Sequence, residues 1–215
     1  MELQGARSYQ DGADEVLAFC SRWPDDATTT AWNATSVVLV TVQKADIPSF
    51  TLVPLTAEDS EAFSLEEVLD WADQHVRDSG WPKHEAVEWA QEELLPVLRE
   101  EHAAAGRRGD RLWTAIGDLG ESVGWFWVTQ RQGLPRGSVF LYQITVRRRL
   151  RRRGYGRAML RALEELLAKE GVKELHLNVL EANGPAMALY ESSGYELAEQ
   201  YEGKRQLYKR LARRP

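Results

Sequence analysis

Arginine and glycine residues are concentrated in one short stretch of the sequence. Residues 147–157 read RRRLRRRGYGR, with seven arginines and with glycines at positions 154 and 156. An apolar segment that predicts a strand comes directly before this arginine stretch, and an amphipathic segment that predicts a helix follows it. A helix N-terminus has unpaired N–H groups and partial positive charge, and glycines let the backbone approach an anion closely. The residue types and their position therefore predict a phosphate or pyrophosphate site.

The arginine stretch has two other interpretations. A Gly-x-Gly pattern between a strand and a helix is weak by itself, because a tight turn with solvated arginines has the same sequence. The stretch could also bind nucleic acid. However, residues 1–49, 50–146 and 147–215 carry net charges of -4, -9 and +7, which together give the -6 of the chain. Most of the chain would therefore repel a polyanion, which disfavours this interpretation.

The composition is that of an ordinary globular protein. At 215 residues, with 43% hydrophobic and 28% charged residues, the chain can form one large domain or one domain with an extension. The apolar stretches are too short to cross a bilayer and the N-terminus has no signal-like apolar segment, so we expect a cytoplasmic protein without a membrane partner. The single cysteine, Cys20, and four histidines without ligand spacing imply no metal.

Two helices are predicted ahead of the arginine stretch. Ser64 and Glu67 form a capping-box signal, and apolar residues at helical spacing continue from there to Gly80. A second helix is predicted for residues 83–101, with Pro96 as a kink. Both helices have one apolar stripe, as expected for helices that cover a core.

Short strands flank the arginine stretch. Runs at residues 111–117, 123–130 and 138–146 alternate with turn sequences, which predicts an antiparallel meander. An apolar strand at residues 174–180 follows the helix after the arginines, and this order implies a parallel crossover. Asn183 then begins a short helix, and a final strand pair follows. The predicted fold class is α/β: a mixed, mostly antiparallel twisted sheet with flanking helices and a central parallel β-α-β crossover.

The segment ITVRRRLRRRGYGRAMLRALEELL resembles the acyl-CoA-binding segment of the GNAT superfamily of N-acetyltransferases. In that family a strand ending in I-x-V precedes the pattern Q/R-x-x-G-x-G/A, and Arg151, Gly154 and Gly156 occupy its fixed positions. The downstream segment LNVLEANGPAMALYESSGYE is similar to the family's next strand and helix. The resemblance implies a GNAT domain at residues 50–212 and leaves residues 1–49 as an N-terminal extension of uncertain structure.

The resemblance implies a role for each position of these segments. The backbone at Ile144 would meet the thioester carbonyl, the backbone at Val146 would meet the pantetheine arm, and Thr145 lies between them. Tyr190 would protonate the departing coenzyme A thiolate and is the implied catalytic residue. The other implied cofactor-binding residues are Arg151, Arg152, Arg153, Gly154, Tyr155, Gly156, Arg157 and Asn183. Each position also has a purely structural interpretation, such as strand core, helix cap or packing.

The implied activity is acetyl transfer from acetyl-CoA, the cosubstrate, to a primary amine of a small molecule, peptide or protein. The two reactants would meet in a ternary complex, without a metal. A catalytically silent acyl-CoA-binding sensor and, with less support, a basic-patch nucleic-acid-binding protein are the alternatives. The expected partners are acetyl-CoA and an amine-bearing acceptor, without nucleic acid or membrane, and a homodimer is left open.

The chain departs from the family pattern at two places. Many relatives have glycine directly after the motif arginine, where this chain has Arg152. Close relatives often have acidic residues in the strand before I-x-V, whereas this strand offers Tyr142, Gln143 and Thr145. The general base is therefore left open, with water and four side chains as candidates. Those side chains are Glu100, Glu101, His102 and Glu121.

Three tryptophans suggest where the acceptor amine would bind. Trp71, Trp81 and Trp89 lie in or near the two predicted helices, in the segment with the largest acidic surplus. Aromatic rings and carboxylates together favour cations. We therefore expect a cationic amine at a partly aromatic cleft formed by these helices, although tryptophans at helical spacing more often belong to a core.

Overall fold

The structure is a computed structural model that describes residues 49–201 and 203–212. The predicted N-terminal extension lies outside the described residues, apart from residue 49. The described chain divides into two compact units, a helical unit at residues 57–108 and a sheet unit built from residues 49–56 and the described residues after 108. In the part of the chain that is described, no helix is long and apolar enough to cross a membrane.

The helical unit contains two long helical runs. They are α1 (Ala57–Ser79), α2 (Lys83–Trp89), a π-helical turn (Ala90–Leu94) and α3 (Leu95–Arg108). The second run is continuous, and its π turn ends two residues before Pro96, which cannot donate a backbone hydrogen bond. The predicted second helix is thus confirmed in its start and in its irregularity near the proline, but it extends to Arg108.

The predicted start of the first helix is wrong. Ser64 lies inside α1 and is buried, and its hydroxyl donates to the carbonyl of Ser60 one turn earlier. The hydroxyls of Ser60 and Ser64 lie 2.9 and 3.2 Å from Nδ1 of His102, so they tie α1 to α3. Burial lowers the pKa of His102 to about 4, and the ring is therefore neutral at pH 7. The apparent capping serine is a buried link between helices.

The sheet unit contains a seven-stranded sheet. Its strands are β1 (Phe50–Pro54), β2 (Arg111–Gly117), β3 (Ser122–Thr129), β4 (Ser138–Val146), β5 (Glu174–Leu180), β6 (Glu196–Tyr201) and β7 (Lys204–Arg210). Their order is β1-β2-β3-β4-β5-β7-β6, and every neighbouring pair is antiparallel except β4 and β5. The predicted fold class is confirmed, including the parallel crossover. The sequence analysis did not identify β1.

Two helices belong to the sheet unit, α4 (Tyr155–Lys169) and α5 (Gly184–Ser192). The crossover helix α4 buries one apolar face. Its buried residues are Ala158, Met159, Leu160, Ala162, Leu163, Leu166, Leu167 and Ala168. Burying such side chains contributes about 1.5 to 3 kcal/mol for each large one, so this helix holds much of the core of the sheet unit.

A glycine allows strands β3 and β4 to approach each other closely in this core. Gly124 of β3 pairs with Val146, and a Cβ at Gly124 would lie 2.3 Å from the carbonyl oxygen of Thr145 and 3.0 Å from Sδ of Met159. The first of these atoms is backbone, which cannot move without disturbing β4. Any side chain at position 124 would therefore displace the end of β4.

We expect Gly124→Ala to lower the free energy of unfolding by more than about 2 kcal/mol, because the new methyl group overlaps backbone. Urea denaturation measures this. Gly106→Ala in α3 is the control, since a Cβ there meets nothing within 4 Å and alanine favours a helix. Equal unfolding midpoints for the Gly124 variant and the parent would contradict the proposed overlap.

Candidate functional site

The sheet opens between its two parallel strands. The ladder between β4 and β5 runs only from the pair Ser138 and Glu174 to the pair Leu141 and Leu177. Beyond it, β4 continues on β3 as far as Val146, and β5 continues on β7 as far as Leu180. The strand edges that face each other there do not pair with one another. An extended ligand with amide groups can fill such an opening as an added strand does.

A β-bulge lies where the opening begins. Trp127 of β3 pairs with Gln143, but the next residue, Val128, pairs with Leu141. Tyr142 is therefore the extra residue on β4, and its ring contacts Trp127 at a centroid distance of 4.4 Å. Because a bulge bends its strand and increases the local twist, this one turns β4 away from β5.

The backbone at the end of β4 points into the opening. The Arg147 N–H donates to the Val123 carbonyl on β3 over 2.9 Å, and successive residues of a strand direct their backbone groups to opposite sides. The backbone groups of Val146 and Ile144 therefore face away from β3. One of them is already engaged, because Nε of Arg151 donates to the Val146 carbonyl over 2.9 Å. The N–H of Ile144 lies on the same side.

The loop between β4 and α4 has two left-handed residues. Arg152 has φ of 62°, and it is the one non-glycine residue with positive φ in the described ranges. Gly154 has φ of 86° and is the N-cap of α4, where it offers no side chain to cap the first helical N–H groups. Left-handed residues beside such N–H groups form a concave arrangement of amides that suits an anion.

Close contacts bring the three predicted cofactor segments together. A Cβ at Gly156 would lie 3.7 Å from Cγ2 of Val146 on β4 and 3.6 Å from Cδ2 of Leu189 on α5. The Nη2 atom of Arg157 donates to the Ser192 hydroxyl at the end of α5 over 2.9 Å. The end of β4, the start of α4 and one face of α5 thus border one region of the sheet unit.

The surface of the loop is strongly cationic. The side chains of Arg151, Arg152 and Arg153 are exposed, as is that of Arg157. The sequence contains no aspartate or glutamate from Ser138 to Leu163. The positive field is therefore not neutralised within this segment, and the half-buried Tyr155 is the first residue of α4.

Asn183 and Tyr190 lie at opposite ends of α5. The Asn183 Oδ1 atom accepts a hydrogen bond from the Ala186 N–H over 3.2 Å, so the side chain is the N-cap of this helix. This cap uses the side-chain oxygen of Asn183 and does not involve its NH₂ group. Tyr190 is 7% exposed, and burial raises the pKa of its hydroxyl to about 12. It is therefore a neutral phenol at physiological pH.

The three predicted tryptophans form one aromatic cluster in the helical unit. The ring of Trp71 stacks on His75 at 3.6 Å and on Trp89 at 4.5 Å, and Trp81 meets both tryptophans edge-on at 6.2 Å. Trp71 and Trp89 also pack against a buried cluster of the helices. The tryptophans are therefore both a partial core and a half-exposed aromatic surface.

A titratable residue that the sequence analysis missed lies beside this aromatic cluster. Burial, together with the neighbouring charges of Asp70 and Glu66, raises the pKa of Glu67 to about 8. Glu67 lies four residues before Trp71 and eight before His75, so the three share one face of α1. Only the sequence pattern Glu-Glu-x-x-Asp before a tryptophan could have suggested it.

Three of the candidate bases named from the sequence have structural contacts. The Glu101 carboxylate accepts a hydrogen bond from Nη2 of Arg108 over 3.1 Å. The Glu121 carboxylate accepts a hydrogen bond from the Leu119 N–H inside the β2–β3 turn. His102 is buried between the two serines of α1. Within residues 49–201 and 203–212 there is also no group of three or more His, Cys, Asp or Glu that could hold a metal ion.

Comparisons with known sequences identify the part of the chain that matches a known family. Residues 65–195 match the family described as "Acetyltransferase (GNAT) family". The chain is 29% identical over 152 residues to YdgE of Bacillus subtilis strain 168, which carries the name uncharacterized N-acetyltransferase. This alignment covers 69% of the chain and 93% of YdgE.

Solved structures with the same fold confirm the architecture. The PaiA N-acetyltransferase from Thermoplasma acidophilum, solved with coenzyme A, has a TM-score of 0.56 at 17% identity, covering 75% of this chain and 99% of PaiA. The spermidine N-acetyltransferase from Vibrio cholerae, solved with CoA and spermine, has the same TM-score at 14% identity, covering 75% and 95%. At these identities the similarity shows the fold.

The left-handed conformation of Arg152 predicts a difference in stability between two substitutions at this position. A non-glycine residue in this region costs about 1 kcal/mol or more, which glycine avoids. We expect Arg152→Gly to be more stable than Arg152→Ala by about 1 kcal/mol, as measured by urea denaturation. Both variants remove the same charge, so their difference reports the backbone alone.

The neighbouring Arg153 serves as the control for this pair. Its φ is not positive, so glycine has no conformational advantage there and should be less stable than alanine. If glycine and alanine give equal stability at position 152, the loop does not hold a strained residue.

Proposed function

The chain belongs to the acetyltransferase (GNAT) family, and we propose that it transfers the acetyl group of acetyl-CoA to the primary amine of a cationic acceptor. The acceptor is a small molecule or a peptide or protein amine, and transfer is direct, in a ternary complex. The single observation that carries this proposal is the opening between β4 and β5, which ends at a loop with free helix N–H groups and a cationic surface. The opening suits a long, amide-bearing arm, and the loop suits its phosphates.

In this proposal the cofactor lies across the three segments that meet at Gly156. The amides from Arg152 to Arg157 hold the pyrophosphate, and the exposed arginines complement its charge. The pantetheine arm lies in the opening and pairs with the Val146 N–H, because Arg151 already occupies the Val146 carbonyl. The side-chain NH₂ of Asn183, which the helix cap does not use, donates to the same arm.

The reaction requires little covalent help from the protein. The neutral amine attacks the thioester carbonyl carbon, and the carbonyl oxygen gains negative charge, which the N–H of Ile144 stabilises. The C–S bond then breaks, and the sulfur receives a proton from the Tyr190 hydroxyl. The amine nitrogen loses its extra proton to a base, which leaves an amide and a thiol.

The raised pKa of Tyr190 constrains when its proton moves. A phenol of pKa about 12 and a thiol of ordinary pKa near 8.5 differ by about 3.5 units, or about 5 kcal/mol, against transfer to a free thiolate. A buried site also destabilises the thiolate and raises the thiol pKa. Proton donation by Tyr190 therefore requires that the site raise the thiol pKa toward that of the phenol. The expected gain is about 10² to 10⁴ in rate.

The helical unit is proposed to recognise the acceptor. Its aromatic cluster offers ring faces to a cation, and acidic side chains on α1 add negative charge. The base that takes the proton of the amine is not assigned to a residue, and water can serve in this role.

Binding of the cofactor at the loop can be tested with Gly154→Val. A β-branched side chain is strained at φ of 86° and would push the helix N–H groups away from the pyrophosphate. We expect a loss of about 100-fold in affinity for coenzyme A by titration calorimetry, since two or three charge-assisted hydrogen bonds are lost.

The matched control is Gly133→Val in the loop between β3 and β4. Gly133 has φ of 83° and open space for a Cβ, so this variant has the same backbone strain without touching the proposed site. It should bind coenzyme A like the parent. Unchanged affinity in Gly154→Val would refute the proposed placement of the pyrophosphate.

The role of Tyr190 can be tested with Tyr190→Phe, which keeps the ring and removes the proton. We expect kcat for thiol release from acetyl-CoA to fall by about 10² or more, with unchanged affinity for coenzyme A and unchanged melting temperature. Spermine serves as a cationic acceptor. Hydroxylamine serves as a small nucleophile that is unprotonated at neutral pH and needs neither acceptor recognition nor a strong base.

Tyr208→Phe is the control, because it removes a phenol that donates to Glu196 on the outer strands. It should leave kcat within about threefold of the parent. If Tyr190→Phe also stays within threefold, the proton comes from water or another group. If the parent accelerates reaction with neither nucleophile, the chain is the silent acyl-CoA binder.

A further inference from the structure

Helix α5 ends in a cap that involves Tyr190 directly. Gly194 has φ of 83°, and its N–H donates to the Glu191 carbonyl over 3.0 Å. The N–H of Tyr195 donates to the Tyr190 carbonyl over 3.1 Å. This pair of hydrogen bonds around a left-handed glycine is a Schellman motif, in which Tyr190 and Tyr195 are the two residues whose side chains usually meet.

The two rings do meet. The Tyr190 and Tyr195 ring centroids are 5.5 Å apart with an interplanar angle of 61°, an edge-to-face arrangement, and the residues are 7% and 6% exposed. Aromatic pairs of this geometry contribute beyond the area they bury. Tyr195 therefore restrains Tyr190 twice, at its backbone carbonyl and at its ring.

Tyr195 is itself held from two other elements of the sheet unit. The Lys209 ammonium on β7 lies 5.6 Å from the centre of the Tyr195 ring, and it donates to Oε2 of Glu164 on α4 over 2.6 Å. Glu164 and Lys209 are 13% and 26% exposed, so water screens this ion pair only in part. Burial raises the pKa of the Tyr195 hydroxyl well above its usual value, and the neighbouring Glu164 carboxylate raises it further.

We propose that Tyr195 is a positioning residue for Tyr190, and that the Glu164–Lys209 pair keeps the Tyr195 ring in place. The inference rests on the proposed role of Tyr190 as the proton donor. A general acid must stay within hydrogen-bond reach of the sulfur, and a displacement of about 1 Å can cost about 10² in rate. Because Tyr195 acts through Tyr190, it has no effect of its own on the reacting atoms.

A double-mutant cycle on kcat separates positioning from general stability. Tyr195→Leu keeps the backbone cap and an apolar side chain but removes the ring, and Tyr195→Phe keeps the ring. With hydroxylamine as the nucleophile, we expect Tyr195→Leu to lower kcat by about tenfold or more, with the Kd for coenzyme A unchanged. Tyr195→Phe should stay within about threefold. In the Tyr190→Phe background, Tyr195→Leu should have no further effect on kcat.

A second variant tests the anchor without touching either tyrosine. Lys209→Met combined with Glu164→Gln removes both charges together and leaves no unpaired buried ion. We expect kcat to fall by about threefold or more in the parent and to stay unchanged in the Tyr190→Phe background. This double variant still tests the inference if Tyr195→Leu fails to fold.

The outcomes distinguish the two proposals. If Tyr190→Phe lowers kcat but Tyr195→Leu and the charge-pair variant do not, Tyr190 is the acid and the positioning inference is wrong. If Tyr195→Leu lowers kcat equally in both backgrounds, Tyr195 acts independently of Tyr190 and the inference is also wrong. If Tyr190→Phe retains turnover within threefold, the proposed acid fails and the inference fails with it.

Discussion

The parallel pairing of β4 and β5 ends after Leu141 and Leu177, and the site depends on this interruption. The extra residue Tyr142 bends β4, while Gly124 lets the bent strand stay close to β3. The result is a pair of facing strand edges inside a continuous seven-stranded sheet. Strand edges normally need protection because their backbone groups seek partners, and in the proposed function the pantetheine arm provides the partner.

The crossover helix connects this opening to the arginine loop. Its apolar face is buried in the core, so its N-terminus is fixed beside the end of β4. The chain must turn sharply between the strand and the helix, and two left-handed residues achieve this turn. The Arg151 side chain then binds back to Val146, which keeps the loop on the strand. The same residues therefore provide both the turn and the proposed anion site.

The sequence predicted the sheet unit better than the helical unit. Strands β2, β4 and β5 have the predicted bounds, because each is an apolar run between turn residues. Ser64 misled the prediction of α1, since a serine–glutamate pair occurs at helix starts and also inside helices, where burial decides its role. The bulge at Tyr142 depends on the pairing with β3, and the pKa of Glu67 depends mainly on burial, and the local sequence states neither of these. The ends of the predicted cofactor segments meet at Gly156, and the roles of the site residues stay predictions.

The segment from Ser138 to Leu163 contains no carboxylates, so it is locally positive in a molecule whose formal net charge is -6. An approaching polyanion is repelled by most of the protein and attracted by one surface, so diffusional encounters are oriented before contact. At physiological ionic strength this guidance extends over about 8 Å. Salt should therefore slow the capture of a phosphate-bearing cosubstrate more than it speeds its release. The rate at which the enzyme binds this cosubstrate then depends on the ionic strength of the cell.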